Sequence, residues 1–215
     1  MQLKHLHKRF DRLQVLHGHS NLNSVYGAGC IRSPQIMLIF MNPTARNISA
    51  DKNWKGLRAP WLGTKNIWKL LYKLEFISKS SFDKTQKIKF GDWTYDFSKN
   101  IYQEINENKV YITNLAKCTQ IDAHSLNDRI FREYLDLMFR EILSVNPKKI
   151  ITFGNQVSSI LLDKKIKVSN YKNKEGETLN VRNKKFLVYP TYYPVGQGMR
   201  NMNLAVERIN KVLRY

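Results

Sequence analysis

The apolar positions along the chain predict strands that alternate with helices. Continuous apolar runs of strand length are typical of strands covered on both faces, as in a parallel sheet. Residues 36–40 form such a run, and residues 109–115, 147–154 and 184–194 supply three further predicted strands. Between them, apolar residues recur three and four positions apart, which is the spacing of amphipathic helices. The helices predicted in this way cover residues 1–16, 64–76, 99–108, 125–145, 155–162 and 201–215.

This alternation predicts an α/β fold with three layers, α/β/α, around a central and mainly parallel four-stranded sheet. With 215 residues, the chain fits a single domain that spans residues 1–215 and buries a core without disulfides or metal. Thr64 is a candidate N-cap for the second helix. The polar stretch 78–98 carries no predicted element before residue 99, and residues 163–183 predict a hairpin or a long loop.

Polar residues follow the predicted strands at the points where they end. In parallel α/β sheets, ligands collect at the carboxyl ends of the strands. Asn42 and Pro43 follow the first predicted strand, and Asn114 and Tyr193 lie near the ends of the second and the fourth. An Asn-Pro pair alone is more typical of a cap or a surface turn than of a functional site, whereas several polar strand ends together favour a functional site.

The charge of the chain favours a polyanionic partner. The 36 Lys and Arg residues against 17 Asp and Glu residues give a formal net charge of +19 and a pI of about 9.9. Such a field attracts nucleic acid. A coding bias toward Lys, Asn and Ile is the alternative, but it does not explain the shortage of acidic residues. Because no window approaches the roughly 18 apolar residues of a membrane span and the N-terminus lacks the apolar core of a signal peptide, we expect a cytoplasmic protein without a membrane partner.

The two cysteines, Cys30 and Cys118, are too few for a disulfide scaffold or for a zinc or iron–sulfur site made of thiolates. Histidines crowd the first twenty residues, where they form either a metal site or a solvated cluster. These are His5, His7, His17 and His19. We expect neither a metal nor a cofactor.

Four segments, in order from about Tyr26 to the last helix, resemble motifs of the uracil-DNA glycosylase superfamily. The segment FMNPT is similar to the Gly-x-Asn-Pro-Gly motif of the mismatch-specific and single-strand-selective branches. GLRAPWLGTKNIWKLL resembles the Gly-x-Pro-Phe-x-Gly segment and following helix of the iron–sulfur branch. VYITNLAKC is similar to the Thr-Asn-(x)2-Lys-Cys strand end of that branch, and YPTYYPVGQGMRN to its Thr-Tyr-His-Pro-Ser loop.

The resemblance implies a monofunctional glycosylase that rotates a nucleotide out of the DNA stack and cleaves its N-glycosidic bond. It implies that Asn42 holds the attacking water and that Pro43 and Met41 border the base. Trp61, at the position of a stacking phenylalanine, would cover the base, unless it is only a core residue. Asn114 would read the O4 and N3–H edge of uracil with its carboxamide, the alternative being a strand-end residue that satisfies local backbone.

The last motif departs from the family pattern. Tyr193 stands where a histidine is usual, and Val195 where a serine is usual, so the departure implies reduced activity, altered base preference or no glycosylase activity. The resemblance implies that the following loop contacts DNA, with Met199 as an apolar wedge and Arg200 as a phosphate or base contact. The loop residues are Gly196, Gln197, Gly198, Met199 and Arg200. Only Cys118 matches a cysteine ligand of the iron–sulfur branch, so no cluster is expected.

The leading hypothesis is therefore a monomeric DNA glycosylase, without a metal, for uracil or a related deaminated base. The alternative is a glycosylase-like fold that binds DNA without cutting it. An enzyme for a free nucleoside or nucleotide is a third possibility, but such a substrate makes no use of the net charge of +19 or of the wedge loop.

Overall fold

The computed structural model describes residues 3–123, 126–171 and 175–214. Within these ranges the chain is a mixed α/β protein built on one six-stranded sheet with eight α-helices. The strands are β1 Ala28–Gly29, β2 Ile36–Phe40, β3 Val110–Asn114, β4 Lys149–Phe153, β5 Glu177–Val181 and β6 Lys184–Thr191. The helices are α1 Lys4–His17, α2 Asn66–Lys73, α3 Lys79–Lys87, α4 Tyr95–Glu107, α5 Asp128–Glu133, α6 Leu135–Val145, α7 Asn155–Leu162 and α8 Met202–Leu213.

The four predicted strands form the parallel centre of the sheet, in the order β3-β2-β4-β6. The prediction of four strands in all was wrong, because β1 and β5 add an antiparallel strand at each edge. Strand β1 has only two residues, and in β5 buried and exposed positions alternate, so neither edge strand shows a continuous apolar run. Strand β5 pairs with β6 over residues 177–181, which confirms the hairpin alternative there.

The central strands are buried on both faces, because their alternate side chains enter two separate cores. Ile36, Leu38 and Phe40 pack with side chains of α2, α4 and α8. Met37 and Ile39 pack on the other face with side chains of α1, α6 and α7. This confirms the three-layer arrangement and explains why the strands have no polar alternation.

Several helix boundaries differ from those predicted. Helix α4 begins at Tyr95, where the Thr94 side chain accepts a hydrogen bond from the Phe97 N–H, and not at residue 99. The helix predicted over 125–145 is divided at Tyr134 into α5 and α6, and its first residue lies outside the described part of the chain. Thr64 does not cap α2, because its hydroxyl donates to the Trp61 carbonyl oxygen at 2.7 Å.

The connections of the sheet determine where a ligand is expected. The chain leaves β2 for β3 on one side and later returns to β4 on the other side of β2. Parallel α/β sheets bind ligands at such a reversal of strand order, beyond the carboxyl ends of the strands. The end of β2, where Met41 and Asn42 follow Phe40, lies at this reversal.

Candidate active site

A cavity of about 920 Å³ opens at the carboxyl edge of the parallel strands. Its lining includes every residue for which a catalytic or base-binding role was predicted. These residues are Met41, Asn42, Pro43, Trp61, Asn114 and Tyr193. The structure thus brings together residues that lie up to about 150 positions apart in the chain, because β2, β3 and β6 end at the same edge.

Phe40, the last residue of β2, holds two of the cavity's aromatic side chains in place. Its buried ring stacks on that of Phe153 at 4.1 Å between centroids. The Trp61 ring meets Phe40 edge to face at 4.9 Å, and the Tyr193 ring does so at 6.4 Å. The sequence analysis assigned Phe40 to the strand alone and missed this supporting role.

Trp61 lies in a turn with a backbone conformation that side chains rarely adopt. Its φ is +70°, in the left-handed region that disfavours bulky residues. The Thr64 N–H and hydroxyl both donate to the Trp61 carbonyl oxygen, at 3.1 and 2.7 Å, and hold the turn. The indole ring is half-buried beside the cavity, so Trp61 is both a packing residue and part of the site.

Asn42 has one side-chain hydrogen bond, from Nδ2 to the Pro43 carbonyl oxygen at 3.2 Å. This bond fixes the amide and leaves Oδ1 without a donor among the described residues. Pro43 is buried and sets the turn that directs the chain past the cavity. An amide oxygen that is oriented and lacks a protein partner can accept a hydrogen bond from a water.

Asn114 is the most informative residue of the site. It is only 2% exposed, and its carboxamide makes no hydrogen bond within the described ranges. The amide atoms of Asn114 are not among the fully enclosed, unpartnered polar atoms of the described residues, so they face the cavity. A donor and an acceptor held unpaired in a cavity wall indicate that a polar ligand completes them.

A buried ion pair between Lys117 and Glu141 holds the backbone at Asn114. The Lys117 Nζ donates to the Asn114 carbonyl oxygen and lies 2.8 Å from Glu141 Oε2. Glu141 Oε1 accepts hydrogen bonds from the hydroxyls of Tyr111 and Thr113, both at 2.8 Å. Burial lowers the pKa of Lys117, and the facing Glu141 carboxylate opposes that change. The pair therefore ties the end of β3 to α6.

Tyr193 presents a neutral phenol to the cavity. Burial raises the pKa of Tyr193 to about 12, so its hydroxyl keeps its proton throughout the physiological range. A neutral hydroxyl can donate a hydrogen bond but carries no positive charge, unlike a protonated histidine. The departure from the family pattern therefore keeps the donor and removes the charge.

The loop after Tyr193 reaches the cavity only in part. Gly196 and Gly198 line it, and a Cβ on Gly198 would lie 2.0 Å from the Tyr193 carbonyl oxygen, so a glycine is required there. Met199 is half-buried against the core, and Arg200 is exposed. The side chain of Gln197 lies outside the described part of the structure. The wedge role of Met199 stays a prediction, and it requires that side chain to leave the core.

Phe90 is a cavity residue that the sequence analysis missed. It lies in a short 3₁₀ turn within the stretch 78–98, and its ring is 44% exposed at the cavity mouth. The ring covers Gly63, whose φ is +89° and on which a Cβ would lie 2.9 Å from the ring. An exposed aromatic ring at this position offers a surface for stacking. The available signal was that this mainly polar segment carries several aromatic residues.

The described residues hold no group of three or more His, Cys, Asp or Glu side chains that could bind a metal ion. His17 instead contacts Glu133 at 2.7 Å, and the His7 ring stacks on Tyr26 at 3.8 Å. Both cysteines are buried free thiols, and burial raises the pKa of Cys118. An iron–sulfur cluster with four thiolate ligands does not fit a chain with two cysteines. No described helix has the length and apolar character needed to cross a membrane.

The fold and the cavity define a class: an α/β protein with a cavity at the carboxyl edge of its sheet, lined by aromatic rings and by the carboxamides of Asn42 and Asn114. The comparison with known families narrows this class. The model of the uracil DNA glycosylase superfamily matches residues 26–214, and the chain belongs to that superfamily.

One curated relative is a type-4 uracil-DNA glycosylase from Saccharolobus solfataricus. It is 31% identical to this chain over 93 residues. The match covers 42% of this chain and 43% of the relative, so the chain spans less than half the length of that protein.

Proposed function

We propose that the protein hydrolyses the N-glycosidic bond of uracil or a related deaminated base in DNA, as a step of base excision repair. The observation that carries this proposal is the buried, unpartnered carboxamide of Asn114 in the cavity wall. A flipped uracil supplies an acceptor and a donor for that carboxamide, whereas cytosine presents the opposite pattern at N4. Family membership and the net charge of +19 support DNA as the substrate.

The cavity residues suggest how the bond is cleaved. The base enters the cavity beside Trp61 and hydrogen-bonds to Asn114. The C1′–N bond breaks, its electron pair leaves with the base, and the sugar develops oxocarbenium character. Asn42 Oδ1 holds a water that adds to C1′ and releases a proton to solvent, while the Tyr193 hydroxyl donates to the oxygen on which the base's charge collects. The products are the free base and an abasic site. We propose that the protein carries out this reaction in the cytoplasm as a monomer.

Oligonucleotides that carry one target base test the proposal. Single- and double-stranded DNA with uracil, hypoxanthine or xanthine is incubated with the protein, and abasic sites are cleaved with alkali. We expect strand scission with uracil or another deaminated base and none with cytosine or thymine. If no abasic site forms with any of these substrates, the enzymatic proposal is wrong.

The neutral phenol of Tyr193 favours a second candidate, a protein that binds DNA without cutting it. That candidate predicts DNA affinity that falls steeply with salt, with no turnover at any target base. Replacing Tyr193 with histidine separates the two candidates, because it restores a donor that can carry charge. A gain of activity from zero would favour the binding protein as the natural state.

The pH dependence of activity is a specific prediction for Tyr193. Because a pKa of about 12 keeps the hydroxyl protonated below that pH, its donor is present at pH 6–10 and is lost only above about pH 11. Tyr193→Phe should lower the single-turnover rate about 2- to 12-fold, the effect of one neutral hydrogen bond, by the same factor at each pH from 6 to 10. Tyr193→His should instead add a transition near pH 6.5. A Tyr193→Phe rate equal to wild type would remove the hydroxyl from the mechanism.

A further inference from the structure

Three exposed lysines follow helix α2: Lys65 at its N-cap, and Lys69 and Lys73 within it. We name them the α2 lysine row. Its members are four residues apart, so they follow one face of the helix at steps of about 6 Å. The opposite face is buried, with Ile67 and Leu70 in the core. The row is therefore a fixed line of positive charge on the surface.

The row begins at the cavity and ends beside the loop that follows Tyr193. Lys65 lines the cavity mouth. Lys73 Nζ donates to Asn203 Oδ1 at 3.2 Å, and Asn203 lies in the first turn of α8, directly after the loop 196–201. A bound strand that follows the row therefore leads directly out of the cavity.

The row has no acidic partner that would explain it. No ion pair joins Lys65, Lys69 or Lys73 to a carboxylate in the described part of the chain. Elsewhere four-residue spacing does produce pairs, as for Lys79 with Asp83 and Lys211 with Glu207. Like charges four residues apart destabilise a helix by a few tenths of a kcal/mol. An anion bound along the row would offset this repulsion.

We propose that the α2 lysine row binds successive phosphates of the strand that contains the target nucleotide, on one side of that nucleotide. This inference rests on the proposed function, since it takes DNA as the polyanion. The step along the row is comparable with the separation of neighbouring phosphates in an extended strand. The row positions the strand without reading its sequence, because contacts to phosphates carry no base information.

Helix α1 provides a matched control. Lys4, Lys8 and Arg12 form a second exposed row with the same spacing. Helix α1 packs on the opposite face of the sheet from α2, and none of its described residues lines the cavity. If the net charge alone attracted DNA, both rows would contribute equally.

The test compares the double variants Lys69→Glu/Lys73→Glu and Lys4→Glu/Lys8→Glu, with Lys65 left intact because it lines the cavity. Binding of a uracil-containing single strand is measured by fluorescence anisotropy across a salt series. For the α2 variant we expect affinity to fall roughly 10- to 100-fold, and the slope of log K against log salt to decrease by about 1.4, or about 0.7 for each lost phosphate contact. The α1 variant should change affinity less than about 3-fold.

Strand truncation tests which side of the target nucleotide the row binds. Oligonucleotides lacking the nucleotides on the 5′ or on the 3′ side should lose affinity unequally for the wild type, and the sensitive side should lose its effect in the α2 variant. Equal losses in the α1 and α2 variants, or none in either, would overturn the inference. Because the experiment measures DNA affinity, its result does not depend on glycosylase activity. A protein that releases no uracil can still confirm or refute phosphate binding by the α2 lysine row.

Discussion

Replacing Asn42 with alanine is expected to lower the single-turnover rate of base release by about 100- to 1,000-fold, the usual effect of removing one preorganised polar group from an active site. The amide is held by its bond to the Pro43 carbonyl oxygen, and its Oδ1 has no donor among the described residues. Alanine removes the acceptor that would hold the attacking water. The rate is measured with excess enzyme on a uracil-containing strand, so that product release does not contribute.

Asn42→Asp is the control for this prediction. Aspartate keeps an acceptor oxygen but loses the hydrogen bond to the Pro43 carbonyl oxygen, so we expect a rate between those of the alanine variant and wild type. Both variants should unfold within a few degrees of wild type, because the half-buried side chain of Asn42 makes a single hydrogen bond. An alanine variant that retains more than about a third of the activity would show that residue 42 does not hold the water.

The sequence was sufficient to predict that the site residues meet at one edge of the sheet, because a polar residue marks the end of each strand that contributes to the site. A continuous apolar run that stops at a polar residue locates the end of a buried strand, and parallel strands bring such ends to one edge. Asn42, Asn114 and Tyr193 could therefore be grouped before the structure was known, and all three line one cavity. Trp61 was placed by its motif, but its left-handed φ was not predictable from the pattern.

Helix α3 was missed because it buries almost nothing. Thr85 is its one buried residue among those described, so the segment shows no apolar periodicity. The helix is held by its Phe82 ring, which stacks on Tyr72 at 4.6 Å, and by polar contacts: the Ser78 side chain accepts from the Ser81 N–H, and Lys79 pairs with Asp83. These contacts become visible only once the chain is folded. Missing α3 also hid Phe90, which the turn after this helix carries to the cavity mouth.

The sequence indicates the buried ion pair between Lys117 and Glu141 only in part. Glu141 lies on the apolar face of α6, where a charged residue indicates a buried partner. Its partner, Lys117, follows a different element 24 positions earlier, and only the packing of α6 against β3 brings the two together. Sequence periodicity reveals which face of a helix is buried, but it does not reveal which side chain lies opposite.

Replacing Lys117 with methionine is expected to lower the free energy of unfolding by about 3–5 kcal/mol, because it leaves the Glu141 carboxylate buried without its cation. Lys117 is fully buried and Glu141 is 1% exposed, so water cannot replace the lost partner. Methionine keeps a similar length, which limits the contribution of a cavity. Urea unfolding at pH 7 measures the change.

The double variant Lys117→Met/Glu141→Gln separates the unpaired charge from the lost packing. Glutamine keeps an acceptor for the hydroxyls of Tyr111 and Thr113 and carries no charge, so we expect most of the stability to return, to within about 1–2 kcal/mol of wild type. The double variant still lacks the donor to the Asn114 carbonyl oxygen, and base release should therefore stay impaired although the fold recovers. Full recovery of both would show that Lys117 acts on stability alone. A double variant as unstable as the single one would mean that the ion pair itself stabilises the fold.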